Sequence, residues 1–329
     1  MRAPKFWTNS TPSAKTYAAL LSPLGTVYAR IVRLRQARAH PFRANARILC
    51  VGNLTVGGSG KTPVAIALGR FLTARGAKIA FLTRGYGGRL RGPVQVNAAR
   101  HSAADVGDES LLLVSHGVTI VARNRAAGAR LADSLGIDVV IMDDGYQNFQ
   151  ITKDLSLVVV DAETGFGNGQ CLPAGPLREL AASGLARADA LVLVGEGRPD
   201  LPPYDGPILS ARLVPNAPET VRGRNVYAFA GIGRPEKFFA MLHGIGAHVV
   251  GALAFADHHN FTSLELSALK NAALKRGALL VTTEKDYMRL DARARNAVHP
   301  VPVHAAFDDD AALAPLLGRL LQTADIVTR

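Results

Sequence analysis

The chain has 329 residues, 48% hydrophobic and 19% charged, which is enough apolar material for one large domain or two modest ones and excludes a disordered chain. Its 38 lysines and arginines against 26 acids leave a formal charge of +12, an excess that attracts polyanions: nucleic acid, an anionic leaflet or a phosphorylated substrate. Two cysteines, Cys50 and Cys171, make neither a disulfide framework nor a metal cluster, which fits a reducing compartment. The N-terminus lacks the apolar run and small-residue site of a cleavable leader, so none is expected.

In chain order, the segment AALLSPLGTVYARIVRLRQARAHPFRANAR (18–47) begins apolar and turns into a ladder of Arg30, Arg33, Arg35, Arg38, Arg43 and Arg47. Its apolar part, interrupted by Pro23, Gly25 and Arg30, is shorter than the ~20 residues of a spanning helix. Two readings stand side by side: a helix lying in a membrane interface with arginines at the headgroups, and a solvated helix with one face on the domain. From Arg47 onward, strand, loop and helix alternate. Strands are expected at 47–53, 78–83, 118–123, 137–147, 155–163 and 188–197, and helices at 63–76, 108–117 and 124–136. Near-continuous apolar strands between helices predict an α/β fold, a mostly parallel sheet covered on both faces. The proline- and glycine-rich stretch 197–220 reads as a linker. A smaller α/β unit follows, with strands at 225–233 and 278–286, the segment 248–262 between them, and helices at 235–246 and 263–276. The expected division is a basic N-terminal helical segment 1–46, a phosphate-binding domain 47–221 and a smaller domain 222–329 closing over the site.

The loop VGNLTVGGSGKTPVA (51–65) is the strongest local signal. The G-x-x-x-x-G-K-[ST] pattern asks for glycine where Thr55 stands, yet Gly57, Gly58 and Gly60 leave the backbone free to turn N–H groups toward phosphate. Thr55, Val56, Gly57, Gly58, Ser59, Gly60, Lys61 and Thr62 are the expected ATP-binding loop. Lys61 reaches the outer phosphates, Thr62 binds Mg²⁺, and Pro63 sits where the first turn of a helix tolerates it. The double glycine also occurs in ParA- and MinD-like switch ATPases, the alternative class, but Val56 stands where those carry a signature lysine.

A metal needs acids near Thr62, and Asp143 with Asp144 ends an apolar strand in the manner of a Walker B segment. Phosphoryl transfer to an alcohol also needs a base and cations around the acceptor. Arg84 and Tyr86 in TRGYGG (83–88), Asp108 and Glu109 in DVGDE (105–109), and Asp257, His258 and His259 in FADHHNF (255–261) are the candidates. Nucleic acid is not expected as a partner, because aromatic residues do not interleave with the basic ones and no recognition motif appears. No obligate protein partner is inferred.

The motifs GNLTVGGSGKTP, LTRGYGG, DVGDE, DDGYQ, LPAGPLRE, FAGIGRPEKFF, FADHHNFT and TTEKDYMRL stand in the order seen in the tetraacyldisaccharide 4′-kinases, and LSPLGTVYARIVRLR is similar to that family's start. The resemblance covers about residues 18–290. It implies ATP-dependent phosphorylation of the 4′-hydroxyl of a tetraacyldisaccharide 1-phosphate, giving lipid IVA in lipid A biosynthesis, at the cytoplasmic face of a bacterial inner membrane. Carried over motif by motif, it implies Asp108 as catalytic carboxylate with His258 as partner. Ser59, Lys61 and Thr62 fall in the nucleotide loop, Asp143 and Asp144 on Mg²⁺, and Arg178 and Glu179 near the substrate with Arg84 and Tyr86. The basic N-terminal helix then serves as attachment to an anionic membrane surface. One departure is visible: Ser110 stands where the family has proline, and a first-turn serine should be tolerated.

Overall fold

The computed structural model describes residues 4–9, 11–216 and 218–321. Its strands are β1 (Arg47–Gly52), β2 (Ile79–Thr83), β3 (Val94–Gln95), β4 (Val118–Val121), β5 (Val139–Asp143), β6 (Leu155–Asp161), β7 (Ala190–Val194), β8 (Ile208–Pro215), β9 (Asn225–Ala230), β10 (His248–Ala254), β11 (Leu279–Thr283), β12 (His299–Val301) and β13 (Val303–Phe307). Nine form one sheet in the order β13-β8-β7-β6-β1-β5-β2-β4-β3, and four form a second in the order β10-β9-β11-β12. The large sheet is parallel from β8 to β4, with antiparallel strands only at its two edges. The small sheet is parallel throughout.

Alternation along the central strands sorts side chains onto two covered faces. Leu49 and Val51 of β1 join a core with Val64, Leu68 and Leu72 of helix α2 (Lys61–Thr73). Ile48 and Cys50 face the other way, toward Ala129, Ala132 and Leu185. Parallel strands deliver their C-terminal ends to one edge, so the loops after β1, β2, β5 and β6 gather there. That edge of the fold is where ligands bind in open α/β sheets.

Two boundaries differ from expectation. The proline-rich 197–220 stretch contains β8, in which Leu209 and Ala211 are buried while Ile208 and Ser210 face out. This period-two strand was hidden by its prolines. The stretch 222–329 also divides: β13 pairs antiparallel with β8, and the helix Asp310–Leu321 buries Leu313, Leu316, Leu317 and Leu320 in the same core as α2. The second unit therefore runs from β9 to β12, and the chain returns to the first.

Helix α1 (Pro12–Ala37) runs through Pro23, which cannot donate to the Ala19 carbonyl; Ser22 Oγ donates to that carbonyl instead, at 2.9 Å. A side chain at Gly25 would meet the Cys171 carbonyl at 2.8 Å, so this glycine lets the helix lie against the domain. Only Ala14, Gly25 and Ala29 of α1 are buried. Tyr17, Leu20, Leu24, Val27, Ile31 and Leu34, spaced three and four apart, form an exposed apolar stripe along its length. No helix among the described residues is long and apolar enough to cross a membrane.

Candidate active site

The loop after β1 turns at Gly57 (φ 120°) and Gly60 (φ 83°), left-handed conformations open to glycine, and delivers Lys61 and Thr62 to the start of α2. A side chain added at Gly57 or Gly58 would meet nothing within 4 Å, so steric room is not what calls for glycine there; at Gly57 the left-handed backbone is. Thr55 pairs across an isolated bridge with Leu177, and Val56 N–H donates to the Pro176 carbonyl at 2.8 Å. Thr55, in place of the expected glycine, and its neighbour Val56 thus moor the loop to the LPAGPLRE segment. Asn53, fully buried, donates to Ser59 Oγ at 3.2 Å, which gives Ser59 a part in shaping the loop.

β5 places the acids. Thr62 Oγ1 donates to Asp143 Oδ2 at 2.8 Å, while Asp143 Oδ1 is buried with no hydrogen-bond partner among the described residues. Burial, with the nearby charge of Glu109, pushes the Asp143 carboxyl up to about 7. A buried carboxylate with an orphaned oxygen beside the loop threonine suits a cation, so the residues fit Mg²⁺. No set of three or more His, Cys, Asp or Glu is gathered for a metal among the described residues. Asp144 stands apart at φ 55°, a strained setting for a non-glycine residue. Burial alone raises its carboxyl, but Lys61, 3.8 Å away, and Arg178, donating at 2.8 Å, hold it low.

A second cluster is assembled from distant segments. Asp108 opens the helix Asp108–Val114 behind Gly107 (φ 86°), where a side chain would strike the Tyr86 carbonyl. Ser110, in place of the family's proline, is fully buried and its hydroxyl donates to the Val106 carbonyl at 2.6 Å, so the turn that carries Asp108 keeps its packing. His258 comes from the small unit, with φ 57° and its Nδ1 3.1 Å from Asp108 Oδ2. Arg289 Nε lies 2.9 Å from the same oxygen, and Arg289 is itself paired with buried Asp286. Burial pushes the Asp108 carboxyl up, yet the His258 contact and the charges of Lys285 and Arg289 prevail and hold it low, so Asp108 is an anion. Lys285 Nζ sits 3.3 Å from His258 Nε2 and 3.0 Å from Glu109 Oε1.

Of the remaining expected residues, the ring of Tyr86 lies 4.9 Å from the His258 ring, whereas Arg84 is exposed at the end of β2. Arg178 reaches Asp144, but the Glu179 carboxylate is turned inward onto Gln147 and Arg187. Asn53, Lys285, Asp286 and Arg289 were not singled out from the sequence. The signal for the last three was the Lys-Asp pair and the arginine three residues beyond it, placed by a short helix after a strand's C-terminal end.

The two units meet over the phosphate loop. A side chain at Gly233 would lie 3.5 Å from Gly58 N, and Arg234 and Lys237 contact Asp161 at the end of β6 at 3.0 and 2.5 Å.

A family model described as tetraacyldisaccharide-1-P 4′-kinase matches residues 17–322. Curated relatives named tetraacyldisaccharide 4′-kinase include proteins of Rhodospirillum centenum, 48% identical over 99% of this chain and 98% of theirs, and of Methylorubrum extorquens, 50% identical over 95% and 97%. Among solved structures, LpxK of Aquifex aeolicus in complex with ATP matches with a TM-score of 0.75 and 26% identity, covering 92% of this chain and 99% of that one. These matches do not favour the switch-ATPase alternative, as Val56 already argued. Phosphate loop, strand-end acids and Asp108–His258 pair thus stand in a chain that belongs to the tetraacyldisaccharide-1-P 4′-kinase family.

Proposed function

We propose that this protein transfers the γ-phosphoryl group of ATP to the 4′-hydroxyl of a tetraacyldisaccharide 1-phosphate at the cytoplasmic face of the inner membrane, forming lipid IVA. The observation that carries the reading is the Asp108–His258 contact, made across the two units at the edge where the phosphate loop opens. The acceptor hydroxyl gives its proton to Asp108, and its oxygen forms a bond to the γ-phosphorus. The bond from that phosphorus to the β–γ bridging oxygen breaks, and ADP leaves with the electron pair. His258 holds Nδ1 against Asp108 Oδ2 while its Nε2 faces the Lys285 ammonium, and so aims the carboxylate. The backbone of 56–60 and Lys61 bind the phosphates and align the transferring group. Thr62 and Asp143 would hold Mg²⁺, with Asp144 behind them through Lys61 and Arg178; when bound, the ion neutralises charge on the β- and γ-phosphates.

The exposed stripe of α1 is read as the surface that enters the leaflet interface, with Arg30, Arg33, Arg35 and Arg38 near lipid phosphates. This brings an acylated acceptor to the site without extracting it far from its bilayer. The test is to incubate purified protein with labelled ATP and the detergent-dispersed disaccharide 1-phosphate. Label should pass to the lipid; ATP turnover indifferent to the acceptor would sink the reading.

A further inference from the structure

Lys285 is unlike the other cations near the site. β11 ends at Thr283, whose hydroxyl accepts from Asp286 N–H at 3.1 Å and starts the helix Glu284–Met288. Lys285 therefore leaves the first turn of that helix at the strand end and crosses to the large unit. Its Nζ lies 3.0 Å from Glu109 Oε1 and 3.3 Å from His258 Nε2, and its side chain is 22% exposed. The carboxylates facing it are Glu109 and Asp108 of the large unit and Asp257 of the small one. Burial alone would lower the ammonium's pKa, but those three charges raise it, so it stays protonated.

Arg289, Lys61 and Arg178 have duties that fix them. Arg289 is 5% exposed, paired with Asp108 and Asp286, and donates to the carbonyls of His259 and Gly231 at 2.9 and 3.0 Å. Lys61 and Arg178 stand at Asp144 on the nucleotide side. An acceptor oxygen bound by Asp108 places the phosphorus about 3–3.5 Å beyond it in a productive geometry. Negative charge then spreads over three equatorial oxygens and needs a donor from the acceptor side. Lys285, on a four-carbon stem with three donors and already against His258, has the reach.

Resting on the kinase reading above, we infer that Lys285 is a further catalytic residue, a cation delivered across the cleft by the small unit to an equatorial oxygen of the phosphoryl group in transit. It turns from Glu109 to that oxygen and back, gaining and losing no proton. Its contact with the phosphoryl group exists only when the two units are together, so it ties transfer to closure.

The test uses the full chain with labelled ATP and dispersed lipid acceptor. Lys285→Met should lower kcat by about 100-fold while KM for ATP and for acceptor stay within about threefold, because the contact is made only in transit. Lys285→Ala should regain part of its rate with added methylammonium, and Lys285→Arg should fall between. A kcat loss below about tenfold, a loss equalled by Glu109→Gln, or no methylammonium rescue would each overturn the inference, since an ion pair that merely holds the units together predicts those results. Wild-type protein that labels no lipid would instead overturn the kinase reading itself.

Discussion

The nucleotide side and the acceptor side of the cleft are built in opposite ways. The proposed phosphate cradle is one contiguous run, 56–62, held by a strand before it and a helix after it, with Asp143, Asp144 and the 176–178 segment brought against it from elsewhere. The acceptor side is assembled from residues 86, 108–109, 258 and 285–289, which belong to both units. A contiguous loop is specified by local geometry and survives small shifts of the rest. The assembled side depends on the small sheet sitting over the large one, since His258, Lys285 and Arg289 reach Asp108 and Glu109 from the small unit. The strained φ values at Asp144 and His258, 55° and 57°, mark where each side is held against local preference.

The largest break in this comparison is on the contiguous side. Lys61→Ala removes the charge on the outer phosphates and should lower kcat/KM by roughly 10³-fold or more, measured by label transfer to lipid. Asp108→Asn should cost about 10²–10⁴-fold in kcat with nucleotide binding unchanged, because only the acceptor side is touched. Arg289→Met sharpens the same side: without that charge the Asp108 carboxyl rises, the proposed base is protonated at higher pH, and the acid limb of the kcat–pH profile should move upward.

Helix α1 takes no part in either side, so Leu20→Ser with Leu24→Ser should weaken binding to anionic vesicles by roughly 30-fold, at about 1 kcal/mol for each side chain. Activity on detergent-dispersed acceptor should be unchanged; loss of activity there would mean the helix shapes the site.

The smallest effect concerns stability. The folded Asp143 carboxyl holds its proton up to about 7, well above its unfolded value of 3.8. The folded state therefore binds more protons between those limits, and this residue's contribution to stability falls as pH rises from about 4 to about 7. Asp143→Asn should raise the melting temperature of nucleotide-free protein at pH 8 by several degrees while losing activity. An unchanged or lower melting point would show that Asp143 carries no such penalty.

Much of the large unit was legible because its strands are apolar throughout and its helices periodic, signals that depend on neighbours along the chain. β8 is hidden because Pro202, Pro203 and Pro207 run up to a short alternating stretch, and one of its two partners, β13, lies far ahead in sequence. Ser59 and Glu179 show the same limit at the site. Their positions beside the loop were readable, but Ser59's acceptance from Asn53 and the turning of Glu179 onto Arg187 depend on packing.

By itself the sequence determined that a strand, a glycine-rich turn and a helix follow one another and bring Lys61 and Thr62 to the helix start, the geometry proposed to hold phosphate, since backbone freedom and helix polarity are local properties. It also determined, through eight ordered motifs, which family those residues belong to. Only the tertiary structure decided that Arg289 and Lys285 stand at Asp108 and that the C-terminal helix returns to the first core. Those pairings join residues far apart in sequence, and which charges come together is set by how the two sheets pack rather than by spacing along the chain.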